Sequence, residues 1–293
     1  MNIAIFGKAF NPDHHEYFRL LVSRLEESGC QLLIWEPFLE FIDGKIPFHK
    51  KVRTFCSHDQ LAGNADFLLS VGGDGTVLEA VQLVRNSGIP IAGINLGRMG
   101  FLSSISKKEI LPAISDILEG RFRIEQRSLI SIESPKGLFG ELSFALNELS
   151  INKKDTSSMV QIQVWIDDHF LHSYWADGLI VATPTGSTAY SLSCNGPIIA
   201  PDSRNFVITP ISPHNLTVRP IVIPDSSRIR IKVDGRDQHA LVGLDSRTAI
   251  ITNDTELLIC KAGFEVNLLQ RHTENFFSTI RAKLNWGMDI RNF

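Results

Sequence analysis

Through the first 120 residues, short apolar runs alternate with stretches whose apolar positions recur every three or four residues. Segments 2–6, 31–35, 67–71 and 91–94 are brief and apolar throughout, the pattern of strands covered on both faces. Tyr17, Leu21 and Leu25, with Leu20 beside them, have helical spacing, and Gly29 stands where that helix would stop. Val77, Ala80, Val81 and Val84 mark one face of a helix over 76–86. Ile110, Ile114, Ile117 and Leu118 mark another over 107–119, closed by Gly120. Strands alternating with helices predict an α/β domain built on a doubly wound parallel sheet.

Beyond Gly120 the period drops to two. Val160, Ile162, Val164 and Ile166 alternate with Gln161, Gln163 and Trp165, and Asp167-Asp168 supplies a turn. Segments 228–233 and 240–244 flank Asp234-Gly235-Arg236-Asp237, which reads as a second hairpin. Segments 248–252, 256–261 and 265–269 continue the series, so this half is expected to be a β-sandwich. A last helix over 274–286 carries Phe277, Ile280, Ala282 and Leu284, a composition suited to packing on the first domain. The expected division is therefore 1–120 for the α/β domain, 121–273 for the sandwich, and 274–293 for a returning helix.

Composition narrows the function. With 293 residues, 21% of them charged and a net charge of −3, the chain lacks the basic footprint of a nucleic-acid binder. No segment is apolar for long enough to span a bilayer, and the N-terminus lacks a signal peptide's basic start. Cys30, Cys56, Cys194 and Cys260 are scattered, which argues against a zinc site or disulfide framework and for a reducing cytoplasm.

The sharpest local signal is Val71-Gly72-Gly73-Asp74-Gly75-Thr76, between a predicted strand and a predicted helix. Its glycines remove side chains that keep a backbone away from a ligand, and the helix turns its positive end to the same place. Phosphate suits such a loop. Asp74 would be repelled by phosphate unless it engages Mg²⁺ or accepts a proton from an attacking hydroxyl, and both roles belong to phosphoryl transfer. The plain alternative is a helix cap on a glycine turn. There is no G-x-x-x-x-G-K-[ST], G-x-S-x-G, H-E-x-x-H or H-R-D segment, so any phosphate chemistry proceeds without a Walker loop.

Two further segments carry polar chemistry. From Asp177 to Ser193 the chain reads as a strand, then a Pro/Gly turn rich in hydroxyls, then a short helix opening near Ser187. Thr183, Thr185, Ser187, Thr188, Tyr190 and Ser191 would suit hydrogen-bonding and stacking a base or sugar, or make an ordinary capped turn. Asn147 and Glu148 lie in the strand-like run 144–151 and could read a base edge and a ribose diol, or form a solvated strand edge.

Taken together, these segments resemble the bacterial NAD kinase family in order, spacing and wording. The resemblance also covers Leu96-Gly97-Arg98-Met99-Gly100-Phe101-Leu102, Pro213-His214, Arg219-Pro220 and Asp245-Ser246-Arg247, and so runs over essentially the whole chain. It implies a Rossmann-like N-terminal domain, a β-sandwich C-terminal domain, and a homodimer or homotetramer. The implied reaction is transfer of the terminal phosphate of ATP, or a similar donor, to the adenosine ribose 2′-hydroxyl of NAD, with Mg²⁺ or another divalent cation held mainly by the donor phosphates. The resemblance makes Asp74 the base or orienting carboxylate, and Gly72, Gly73, Gly75 and Thr76 the phosphate loop. It assigns NAD contacts to Asp74, Gly75, Phe101, Asn147, Glu148, Trp175, Thr188, Ala189, Tyr190, Ser191, Leu192, Ser193, His214 and Arg247, with Asp177 reaching across a subunit interface. Trp175-Ala176, Cys194-Asn195-Gly196 and Arg247 depart from the usual family residues. A lipid kinase sharing the Gly-Gly-Asp-Gly loop would be expected to carry a Gly-Thr-x-Asn-Asp segment, which is absent, and a non-catalytic NAD(P) sensor would have lost Asp74.

Overall fold

The computed structural model describes residues 1–97, 100–154, 159–234, 239–273 and 275–287. The chain forms two compact units, one of residues 1–126 with 266–293 and one of residues 127–265.

The first unit runs β1 (Asn2–Gly7), α1 (His15–Glu27), β2 (Gln31–Trp35), α2 (Glu36–Ile42), β3 (Arg53–Phe55), α3 (His58–Leu61), β4 (Phe67–Val71), α4 (Asp74–Val84), β5 (Ile91–Asn95), β6 (Ile105–Ser106) and α5 (Ile110–Leu118). Its strands lie in the order β5-β4-β1-β2-β3, and every pairing among them is parallel. One face packs Ile3, Ile5, Leu69 and Val71 against Phe18, Leu21, Val22 and Leu25 of α1 and Ile110, Ile114 and Ile117 of α5. A fully buried side chain of this kind contributes roughly 1.5–3 kcal/mol, which is why the apolar stripe decides how each helix docks. Leu20 is apolar but faces solvent, because the buried stripe of α1 runs through Phe18 and Val22 instead. The elements α2, β3 and α3 escape sequence reading for a physical reason. They have seven, three and four residues, too few to show a period, and α2 begins at Glu36-Pro37 directly after a strand.

From β1 the sheet grows one way through β2 and β3, and the other way through β4 and β5. The carboxyl ends of β1 and β4 therefore flank the topological switch point, where open α/β sheets bind ligands. The Gly72–Thr76 loop leaves β4 there.

In the second unit the elements are β7 (Phe122–Ser134, entering from the first unit), β8 (Phe144–Ala145), β9 (Glu148–Lys153), β10 (Val160–Ile166), β11 (His169–Ala176), β12 (Gly178–Ala182), α6 (Tyr190–Ser193), β13 (Asn205–Ile211), β14 (Ile221–Pro224), β15 (Ile229–Asp234), β16 (His239–Leu244), β17 (Arg247–Thr252) and the start of β18 (Glu256–Arg271). One sheet is ordered β14-β13-β12-β9-β16-β17, and β11, β10, β15 and β18 pair in a second. Ile151, Val181, Phe206 and Val242 from the first meet Ile162, Val164, Ile231 and Ile259 from the second in one core, so the unit is the expected sandwich. Asp167 and Asp168, both at positive φ (48° and 65°), turn β10 into β11 as expected.

Two expectations fail here. Segments 228–233 and 240–244 do not form a hairpin: β15 pairs with β10 and β18, whereas β16 pairs with β9 and β17 in the other sheet. Alternation reports which face of a strand is buried, and both strands bury theirs in the same core from opposite sheets, so the pattern cannot name the partner. The turn residues Gly235, Arg236 and Asp237 lie outside the described residues. The segments 256–261 and 265–269 are one continuous strand, β18, running on through Gly263. Its far end pairs in parallel with β5 through Leu268 and Ile91 in the first unit. The last helix, α7 (Phe276–Leu284), belongs to that unit and is capped by Asn275, whose side chain accepts from Ser278 N–H at 2.9 Å. Ile280 is its buried residue, Phe277 is exposed, and Glu274 and residues 288–293 lie outside the described residues.

Candidate active site

Asp74 opens α4, two residues earlier than the period of the apolar face suggests, with Gly73 as the cap residue. Its N–H and that of Gly75 thus fall in the first helical turn, where donors have no partner within the helix. A Cβ at Gly73 or Gly75 would meet nothing within 4 Å, so both leave open approach to the backbone. Gly72 has a different task, since a Cβ there would sit 2.2 Å from Oγ1 of buried Thr76.

The carboxylate of Asp74 does not lie within this glycine loop. It turns to the segment after β5, where Oδ1 accepts from Leu102 N–H (3.1 Å), Ser103 N–H (3.0 Å) and Ser103 Oγ–H (3.0 Å), while Oδ2 accepts from Phe101 N–H (2.8 Å). Ser103 Oγ accepts in turn from Asn95 Nδ2 (3.1 Å), and both residues are buried. Gly93 of β5 admits the loop, because a Cβ there would come within 2.6 Å of Leu102 O. Gly100 admits the carboxylate, because a Cβ there would come within 1.6 Å of Asp74 Oδ1. Each carboxylate oxygen offers two acceptor positions, so Oδ1 is saturated and Oδ2 keeps one. The Asp74 side chain is 32% exposed, with Lys283 Nζ 3.9 Å from Oδ2. Arg98 and Met99 of the same segment lie outside the described residues.

In the second unit Asn147 lies between β8 and β9 and is buried, and Glu148 begins β9. Asp245, at the β16–β17 turn with φ 51°, locks this stretch: its carboxylate accepts from the N–H groups of Leu146 (2.8 Å), Asn147 (2.9 Å) and Glu148 (3.2 Å). Glu148 is therefore no solvated strand edge. Its Oε2 is sealed from solvent and meets no partner among the described residues. Burial, and secondarily the Asp245 charge, push Glu148 up to about 8, against the pull of the Tyr190 backbone N–H. At neutral pH Glu148 carries its proton and can donate as well as accept.

That proton has a measurable consequence. The folded chain keeps it between roughly pH 4.5 and 8, where the unfolded chain releases it, so its stabilising effect is complete below that window and is lost as pH rises through about 8. Across the window this one group lowers unfolding free energy by at most about 1.4 kcal/mol per pH unit. Glu148→Gln is expected to flatten the urea midpoint against pH over that range. An unchanged slope would mean that Glu148 is ionised.

The segment from Thr183 forms a 3₁₀ turn (Thr185–Thr188) followed by α6, where a single helix opening near Ser187 was expected. Most of its hydroxyls serve the fold and are not presented to a ligand. Thr183 Oγ1 donates to Leu146 O (2.6 Å), Ser187 Oγ to Pro184 O (2.6 Å) and Thr188 Oγ1 to Thr185 O (3.2 Å), and Ser191 Oγ pairs with Thr209 Oγ1 (2.8 Å). Gly186 crosses the 146–148 stretch so closely that a Cβ would lie 2.1 Å from Asn147 O. The segment thus braces Asn147 from behind. What it offers outward is Tyr190 and Ser193, both exposed, with Ala189 and Leu192 half-buried.

Trp175 is 52% exposed and, with His172, His214 and Leu216, lines a cleft of about 450 Å³. His214 N–H donates to Trp175 O (2.8 Å). Asp177 is paired with Lys153 Nζ at 2.6 Å. Arg247 is turned to the protein itself, donating to Leu142 O and Phe144 O and lying near the Phe139 and Phe144 rings. Sequence reasoning left Asp245, Ser103, Asn95, Gly100 and Lys283 without a role. Asp245 and Gly100 stood inside family motifs and could have been found from them. Ser103, Asn95 and Lys283 act through distant partners and leave no local signal.

Among the described residues no group of three or more His, Cys, Asp or Glu side chains could cage a metal ion.

Compared with known proteins, residues 10–122 match the family model described as the ATP-NAD kinase N-terminal domain, and residues 146–270 match the ATP-NAD kinase C-terminal domain. The chain is 43% identical over 293 residues to a protein of Cytophaga hutchinsonii named NAD kinase, with all of both chains covered. It is 38% identical to the Bacteroides fragilis protein of the same name, covering 99% of this chain and 100% of that one. Among solved structures, a yeast NADH kinase complexed with NADH has a TM-score of 0.87 at 24% identity, covering 100% of this chain and 90% of that chain. An NAD kinase from Archaeoglobus fulgidus in complex with ATP has a TM-score of 0.75 at 25% identity, covering 96% and 99%.

Proposed function

The chain belongs to the NAD kinase family and phosphorylates NAD to NADP; on that premise we propose that Asp74 receives the proton of the ribose 2′-hydroxyl on Oδ2. The observation that carries this is the asymmetry of its carboxylate. Oδ1 is filled by three donors, whereas Oδ2 keeps a free acceptor position, and the backbone at Gly73 and Gly75, either side of Asp74 in the chain, is open. Four donors hold the group in one orientation, so its placement is settled before substrate arrives, and positioning is most of what phosphoryl transfer asks of a protein.

The first-turn amides of α4 take the donor phosphates, with Gly72 and Thr76 shaping the turn. Asn147 and Glu148 hold the adenine and ribose side of NAD. As a neutral acid, Glu148 gives a hydrogen bond without adding negative charge next to a pyrophosphate. Thr188, Ala189, Tyr190, Leu192 and Ser193 of the second unit border the base, with Trp175 and His214 lining a cleft of that same unit; in the first unit, Phe101 flanks Asp74. Mg²⁺, carried on the donor phosphates, supplies charge neutralisation when bound. The same reading has the chain acting in the cytoplasm, consistent with no described helix being long and apolar enough to cross a membrane, and forming homo-oligomers to which Asp177 contributes.

The test is a substrate matrix of ATP, GTP and polyphosphate against NAD and NADH, read with an NADP-specific dehydrogenase. ATP with NAD is expected to turn over with Mg²⁺ and to stop when EDTA removes it. Turnover that persists in EDTA would overturn the metal assignment.

A further inference from the structure

The structure gives a reason for the return of α7 to the first unit. Lys283, in its last turn, sits with Nζ 3.9 Å from Asp74 Oδ2 and 4.7 Å from the centroid of the Phe101 ring. Its side chain is only 25% exposed. At 3.9 Å the ammonium is past hydrogen-bonding distance, so none of its three N–H donors is spent on Asp74. A partly exposed pair of this length adds little stability, and ordering a lysine costs conformational entropy. The Phe101 ring holds the ammonium in this position. The ammonium stands over the one carboxylate oxygen with a free acceptor position, where a hydroxyl and a phosphoryl group would have to meet.

We propose that Lys283 is a catalytic residue that binds the phosphoryl group during transfer. This deepens the assignment of Asp74 and rests on it. As the 2′-oxygen bonds to the terminal phosphorus of the donor, the bond from that phosphorus to its bridging oxygen breaks. The electron pair leaves with the nucleoside diphosphate, and the hydroxyl proton passes to Asp74 Oδ2. Charge on the equatorial oxygens of the moving group is then met by an ammonium already fixed 3.9 Å from Oδ2 by Phe101 and α7. The same cation relieves the repulsion between those oxygens and the Asp74 carboxylate, which the glycine amides alone would leave standing.

Lys283→Gln and Lys283→Arg separate charge from shape, since both keep a long polar side chain. The Gln variant is expected to lose about 100-fold in kcat, the scale set by removing one transition-state donor, while NAD binding by calorimetry stays within about threefold. The Arg variant restores kcat to within about tenfold, short of full recovery because a guanidinium is a flat fork and not a point charge. Asp74→Asn is assayed in parallel. A Gln variant within about threefold of the parent kcat, with Asp74→Asn inactive, overturns the role of Lys283 and leaves Asp74 in place. Both variants active would remove Asp74 as well. Equal losses in Gln and Arg, accompanied by a lowered melting temperature, would make Lys283 a packing residue and overturn the proposal.

Discussion

Asp74→Asn is expected to fold and to lose at least about 100-fold in kcat, the lower end of what a positioned proton acceptor contributes. The geometry explains both halves of that result. With its amide oxygen in the Oδ1 position, asparagine still satisfies Leu102 and Ser103, but its NH₂ then faces the Phe101 N–H and the position where the hydroxyl proton would go. Turned the other way, the NH₂ faces the N–H groups of Leu102 and Ser103. No orientation satisfies every donor, so the variant also loses about 1–3 kcal/mol, less than a domain's usual stability. Turnover measured by NADP formation and stability by urea unfolding give the two numbers independently. Full activity would remove Asp74 from the mechanism.

Gly100→Ala is expected to reduce kcat as severely while leaving Asp74 in the chain. The added methyl carbon would lie 1.6 Å from Asp74 Oδ1, 2.4 Å from its Cγ and 2.6 Å from Ser103 Oγ. These atoms cannot share that space, so the carboxylate must leave the amides of Phe101–Ser103. Overpacking of this kind costs about 1–3 kcal/mol, enough to displace a side chain without unfolding the unit. Since both substitutions damage one arrangement, their effects do not add. The double variant is expected to be no slower than Asp74→Asn by more than about threefold. A single variant that keeps kcat within about fivefold would show that the 100–103 loop does not position the carboxylate.

Sequence reading located Asp74 and the amide-lined loop around it, but not what its carboxylate bonds to. Its donors come from residues 101–103, reached across Gly93 and Gly100. Nothing in a glycine's neighbours along the chain tells which distant group needs its missing Cβ. Glu148 was legible as a polar residue beside Asn147, but its protonation was not. That depends on burial and on Asp245, 97 residues away. The hydroxyls of 183–191 could be a ligand surface or an ordinary capped turn, because composition counts donors and acceptors without knowing which the backbone has already claimed.

By itself the sequence determined the elements with clear periods: β1, α1, β2, β4, α4, β5 and α5 in the first unit, and the alternating strands of the sandwich. Period and burial are local properties of a strand or helix, so a single chain of letters carries them. It also determined the family, through motifs whose order and spacing run the length of the chain. Only the tertiary structure decided which strands pair, that β15 and β16 part into different sheets, which oxygen of Asp74 stays open, and that Lys283 comes to stand beside it. Each is a contact between residues far apart in the chain. Such contacts are chosen by the packing of whole units and leave no mark on the spacing of their own neighbourhood.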